Sequence, residues 1–141
     1  MRGAWVVVVL GACGGDPRRA AIAEGLLEPY AAAIRAEDWA TARGRLSTPR
    51  RASQVGEVAF LAAQAGNRER WGALVALRLQ KEAIEPAGDP DCPACVRVFV
   101  AWEGERASGE VALDVVEDGG AWKIERSWLW PSGGIGVQRV F

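Results

Sequence analysis

The 141-residue chain contains no histidine. That removes, in one stroke, the commonest general base near neutral pH and the commonest metal ligand. It also has a single tyrosine, a single methionine and three cysteines, so phenol or thiol chemistry has few carriers. Formal net charge is −1, from 17 basic and 18 acidic side chains. So even a balance lacks the basic footprint of a nucleic-acid binder, and no nucleic-acid partner is expected. The apolar run at 4–10 falls far short of the ~20 residues a membrane-spanning helix needs. No motif asks for a cofactor. Half of the residues are hydrophobic, and at this length folding buries roughly 65–70% of the chain's surface, enough for one ordinary core.

The most informative stretch is EVALDVVEDGGAWKIERSWLW at 110–130. Val111, Leu113 and Val115 alternate with Glu110, Ala112 and Asp114, the period of two that sends apolar side chains to one sheet face. Asp114 thereby takes the outward, wet parity. Asp118, Gly119 and Gly120 supply the positive-φ residues of a tight hairpin turn. On the return strand Trp122, Ile124, Trp128 and Trp130 share a parity, with Arg126 interrupting, while Lys123, Glu125 and Ser127 take the other. This reading makes one face aromatic, and such a face must be buried against another layer.

Upstream, residues 16–34 read as a helix: Asp16 caps, Pro17 suits the first position, and Ile22, Leu26, Tyr30 and Ile34 recur four apart. A short second helix follows near Asp38, with Trp39, Ala42 and Leu46 inward, and Ser47, Thr48 and Pro49 stop it. A third spans 53–65, with Val55, Val58, Leu61, Ala62 and Ala65 as its stripe and Gly66–Asn67 closing it. Residues 73–84 favour a strand, with Val75, Leu77 and Leu79 on one side, although a helix is also compatible. Residues 85–93, with three prolines, form a loop, and 96–103 form a strand with Val96, Val98, Val100 and Trp102 on one side. Helices first and strands afterwards argue an α+β fold, N-terminal helices packed on a curved antiparallel sheet of about four strands. The domain is placed at 19–131, after a tether at 13–18 and before a Gly-rich tail at 132–141.

MRGAWVVVVLGACGG at 1–15 has one charged residue, a short apolar segment and small residues before a cysteine. Leu10, Gly11, Ala12 and Cys13 resemble the lipobox of bacterial lipoproteins. The resemblance implies a signal peptide at 1–12, lipidation of Cys13, and a membrane partner reached through its acyl chains, which contribute ~0.8 kcal/mol per buried methylene. The localisation it implies is the bacterial cell envelope. The alternative is a buried first strand at 5–10 followed by a phosphate-cradling turn at Gly11, Gly14 and Gly15, but G-x-x-G-G is not the dinucleotide fingerprint G-x-G-x-x-G.

LLEPYAAAIRAEDWATARGRLS (26–47) resembles the opening of the nuclear-transport-factor-2-like superfamily, the cone fold shared with SnoaL-like proteins and ketosteroid isomerase; EDGGAWKIERSW (117–128) resembles its closing strand. The resemblance implies a cone-shaped domain with an internal pocket, and, in the enzymes of the superfamily, a tyrosine from the first helix working with acidic residues. Tyr30 fits that tyrosine, yet 48–53, where a base is expected, carry no carboxylate. Without a buried acid beside a donor, proton abstraction next to a carbonyl lacks its base, so a catalyst is not expected. Tyr30 is otherwise a core residue with its hydroxyl on a backbone partner.

Cys92-Pro93-Ala94-Cys95 is the sharpest local motif. A structural disulfide, a redox pair and half of a zinc site all fit it; the proline-rich loop favours the first. Of seven tryptophans, Trp102, Trp122, Trp128 and Trp130 lie on strands and, with Tyr30, are candidates to line a pocket. Filling a core otherwise rich in Ala and Val is the alternative. Arg43, Arg45, Arg50 and Arg51 form a basic cluster suited to anionic headgroups or, equally, to a solvated face. The function these observations favour is a lipid-anchored envelope protein with a non-catalytic domain that binds an apolar small molecule or an envelope protein. A small isomerase or cyclase and a purely structural envelope component are the alternatives.

Overall fold

The computed structural model describes residues 15–53, 56–80, 84–129 and 137–138. The signal segment at 1–12, Cys13, Val55 and Trp130 lie outside the described residues. The helices are α1 (Arg18–Ile22), a π-helical turn (Ala23–Leu27), α2 (Glu28–Arg35), α3 (Trp39–Gly44), α4 (Thr48–Ser53) and α5 (Gly56–Trp71). The strands are β1 (Leu74–Leu79), β2 (Glu85–Pro86), β3 (Val96–Gly104), β4 (Ser108–Asp118), β5 (Ala121–Leu129) and β6 (Val137–Gln138). All pair antiparallel in the order β1-β3-β4-β5-β6, with the two-residue β2 beside β3. The fold is α+β, as the segregation of helical and strand periodicities implies. The helices cover one face, where Ile22, Leu26, Leu27, Tyr30 and Phe60 pack on Val98, Val100, Val111, Leu113 and Val115.

The first helix runs unbroken through 18–35 but widens at the π-helical turn, and Pro29 explains why. Proline has no N–H for the carbonyl four residues back, and its ring crowds that carbonyl. The carbonyl is that of Gly25, and it accepts instead from Arg45 Nη1 at 2.9 Å. Asp16 caps the start by accepting from the Arg18 amide at 2.9 Å. Asp38 caps α3 through the Thr41 amide and hydroxyl, and these bonds hold its carboxyl below the ordinary range.

Two helix boundaries differ from the sequence expectation. Ser47, Thr48 and Pro49 do not merely stop a helix; they begin α4, with the Ser47 hydroxyl accepting from the Arg50 amide at 3.1 Å and proline tolerated in the first turn. Gly66 does not close the next helix, which continues five residues further to Trp71. The terminating glycine is Gly72, at φ +78°, where a Cβ would stand 2.7 Å from that of Glu105. The stripe is also rotated. Val58 is 76% exposed and Ala62 and Ala65 are exposed, whereas Phe60 and Gln64 are buried.

The hairpin forms as its alternation requires, with Gly119 and Gly120 at φ +67° and +80°. Its register then slips. Asp114 pairs with Arg126 but Val115 pairs with Ile124, leaving Glu125 as an extra residue on β5. Parity inverts there: Trp122 and Ile124 face the helices, while Trp128, opposite Ala112, faces the other side. The single aromatic face inferred from the sequence is therefore divided between two faces. A second slip, between Leu74 and Ala76, leaves Val75 37% exposed while Leu77 is buried.

Asp114 has the outer parity, but it is not wet: the residue is 1% exposed. Arg97, its partner across β3, donates from Nε at 2.7 Å and Nη2 at 3.0 Å, and the Trp128 indole donates at 3.1 Å. The hydrogen bond to Asp114 raises the Arg97 pKa above its ordinary value. The Arg97 guanidinium lies 5.8 Å from the Trp128 ring centroid, and Arg126 reaches Asp89 in the loop before β3 at 2.5 Å. The outer face is thus a satisfied polar layer rather than a solvent face.

Candidate functional site

Where α5 ends, the chain must turn sharply at Gly72 to enter β1, and this opens a cleft beside the end of β3. Its walls are Ile34, Trp39, Trp71, Leu74 and Trp102, with Gln64, Asn67 and Arg68 of α5 along one side. The cavity volume is about 30 Å³, room for one or two waters, and about 430 Å³ if its open mouth is included. Trp71 and Trp102 stack with ring centroids 4.6 Å apart at 37°, and Trp39 meets Phe60 edge-on at 6.1 Å. Arg70 lies over Trp71 at 5.3 Å. These contacts hold three large rings around one slot, whose walls are stiff and mostly apolar.

One polar group in this wall is conspicuous. Gln64 is 4% exposed and hydrogen-bonded to the Tyr30 side chain. Tyr30 itself is fully buried, and burial raises its pKa well above the ordinary phenol value, with the Arg50 charge and Gln64 working against that shift. Arg50 is half-buried near both Tyr30 and Glu125; desolvation lowers its pKa while those two groups oppose the shift. The Ser47 hydroxyl donates a short hydrogen bond to Glu125, the residue displaced by the bulge.

Of the residues singled out from sequence, Trp102 lines the cleft, whereas Tyr30 lies behind it, screened by Gln64. Trp122 packs on the core further along β5, and Trp128 is on the opposite sheet face, so these side chains do not share a concavity. The basic cluster is also dispersed: Arg45 serves Gly25, Arg50 turns inward, and Arg51 donates to the Thr48 hydroxyl. Sequence reasoning missed Gln64, Asn67, Arg68 and the cleft role of Trp39 and Trp71. The signal was there, since 60, 64, 67 and 71 recur at helical spacing, but anchoring the stripe on Val58 hid it.

Cys92 and Cys95 are joined by a disulfide with Cα atoms 5.3 Å apart. The Cys95 amide also donates to the Cys92 carbonyl and the Ala87 amide to the Cys95 carbonyl. The bridge closes a tight turn directly before β3 and flanks the segment that carries Asp89. Among the described residues no group of His, Cys, Asp or Glu side chains could hold a metal, and no helix is long and apolar enough to cross a membrane. No protein-family model matches the chain, and no curated protein matches it.

Proposed function

We propose that this chain is a lipid-anchored protein of the bacterial cell envelope whose single domain is a non-catalytic binding module. We further propose that the domain is a cone of the nuclear-transport-factor-2-like kind. The observation that carries the binding reading is the cleft: three tryptophans and two aliphatic side chains around one slot, with the buried Gln64 side chain in its wall. A flat, largely apolar molecule suits such walls, entering edge-first because the enclosed volume is small.

The non-catalytic reading is supported by where the acid–base groups lie. Tyr30 is 0% exposed, and Asp114, the buried carboxylate, sits on the opposite face of the sheet in bonds to Arg97 and Trp128. Proton transfer needs an acid and a base within hydrogen-bond reach of one substrate. The anchor rests on Leu10–Cys13 in the sequence.

Two measurements test the reading. N-phenyl-1-naphthylamine, an uncharged flat fluorophore, is expected to bind saturably and quench tryptophan emission, and Leu74→Arg to abolish binding while circular dichroism is unchanged. Absence of saturable binding overturns the module. The intact mass of the protein extracted from its host in detergent is expected to correspond to a chain starting at acylated Cys13; an unmodified chain starting at Met1 overturns the anchor.

A further inference from the structure

We infer that the Cys92–Cys95 bridge is a site of thiol–disulfide exchange, at which Cys92 Sγ accepts a thiolate from an uncharged dithiol. The site is separate from the tryptophan cleft, and its two sulfurs are unequal. Cys95 is 2% exposed, whereas Cys92 is partly exposed and lines an open groove of about 230 Å³ with Pro49, Asp91, Glu117 and Asp118. An incoming thiolate therefore reaches Cys92 and not Cys95. Access to the attacked sulfur is one of the features that separate exchangeable bridges from inert ones. The turn around the bridge, moreover, has its own support. The Cys92 amide donates to the Asp89 carbonyl at 3.1 Å, the Cys95 amide to the Cys92 carbonyl at 3.1 Å, and the Ala87 amide to the Cys95 carbonyl at 3.0 Å. The Asp89 carboxylate accepts from the Asp91 amide at 2.9 Å and pairs with Arg126 of β5 at 2.5 Å. These bonds hold the two sulfurs side by side after reduction, so the bond breaks with little freeing of chain and closes again between neighbours.

A partner thiol gives its proton to solvent, and the thiolate attacks Cys92 Sγ. The Cys92–Cys95 bond breaks, and its electron pair leaves on Cys95, which takes up a proton. The partner's second thiol loses its proton and attacks the partner sulfur of the mixed disulfide, releasing Cys92, which is protonated in turn. Two electrons and two protons thus pass to the chain, and the partner leaves as a disulfide. Cys92 is the electrophile in this exchange, and the charge around it narrows the partner. Asp91, Glu117, Asp118 and Glu125 line the groove. Arg51 and Lys123 act on Asp118, and Arg50 acts on Glu125, which leaves Asp91 and Glu117 to repel an anionic carrier. A dithiol without carboxylates of its own is therefore preferred over a thiol such as glutathione.

The test uses the full-length chain with Cys13→Ser, in which Cys92 and Cys95 are the only cysteines. Dithiothreitol, an uncharged dithiol, is expected to reduce the folded chain within about tenfold of its rate on the urea-unfolded chain, with near-ultraviolet dichroism retained. Reduction no faster than global unfolding, or loss of the dichroism on reduction, overturns the exchange site. Folding is expected to slow glutathione about fivefold more than dithiothreitol, and salt at about 1 M to erase that difference. Equal slowing of the two reagents overturns the choice of partner. The attacked sulfur is read from single variants and an uncharged aromatic disulfide, dithiodipyridine. In Cys95→Ser, Cys92 is expected to release thiopyridone about tenfold faster than Cys95 does in Cys92→Ser. Equal rates in the two folded variants overturn the assignment of Cys92 as the reacting sulfur.

Discussion

Arg97 and Asp114 stand directly opposite each other on β3 and β4 and meet through two parallel hydrogen bonds, 2.7 and 3.0 Å long. The carboxylate is 2% exposed and the guanidinium 27%. Removing one partner of such a pair strands a buried charge, which costs more than the pair itself contributes. Arg97→Met is therefore expected to destabilise the domain by roughly 3 kcal/mol in urea unfolding. Arg97→Met with Asp114→Leu is expected to recover most of that loss. A single-variant cost below about 1 kcal/mol would mean Trp128 and solvent suffice for Asp114.

Arg45 and Pro29 are coupled through the Gly25 carbonyl, which proline cannot serve and arginine does. Arg45→Ala is expected to cost about 1.5 kcal/mol in the native background. In Pro29→Ala the helix regains its own donor at position 29, and the same Arg45→Ala change is expected to cost much less. Strict additivity of the two in a double-mutant cycle would show that the bond and the proline are unrelated.

Tyr30 is the only tyrosine, so phenolate absorbance at 295 nm reports it alone. Burial raises its pKa in the folded state above the ordinary 10.0. Above that pH the unfolded chain loses the proton and the folded one keeps it, so stability is complete below 10 and declines as pH rises. The phenolate is expected to appear together with loss of near-ultraviolet tryptophan dichroism, not before it. Reversible ionisation near pH 10 with the fold intact would place Tyr30 in contact with solvent.

Cys92 and Cys95 enclose a very small loop, for which chain entropy predicts a contribution of only about 2 kcal/mol. Reduction is expected to lower the urea midpoint by a matching amount while cleft binding persists. Loss of ligand binding on reduction, with the fold retained, would instead give the bridge a regulatory role.

Acid stability follows from Asp38 and Asp118. The Thr41 hydroxyl and amide hold the first below its usual 3.8, and the Thr48 amide holds the second below it. Depressed carboxyls stabilise above 3.8 and lose that contribution as pH falls through their folded values. Asp118→Asn is expected to flatten the melting temperature between pH 5 and 2; an unchanged slope would assign acid sensitivity elsewhere.

Much of the architecture is already determined by the chain read as a line. Period-two alternation in 110–118, paired glycines at 119–120 and the helical recurrence of Ile22, Leu26, Tyr30 and Ile34 are local properties, and local sterics and burial suffice to turn them into a hairpin and a helix. Tertiary structure alone decided which face each tryptophan took. The extra residue Glu125 belongs to a pairing register, and register exists only between two strands; a one-residue slip moved Trp128 away from Trp122 and onto Asp114. Gly66 and Gly72 illustrate the same division. Both are helix breakers by composition, but Gly72 is where Glu105 presses against the backbone and a positive φ is needed, so the helix ends there. That extra length carries Asn67, Arg68 and Trp71 to Trp102 and makes the cleft; the helical recurrence of 60, 64, 67 and 71 marks one wall in the sequence, but the cleft itself depends on contacts thirty residues apart.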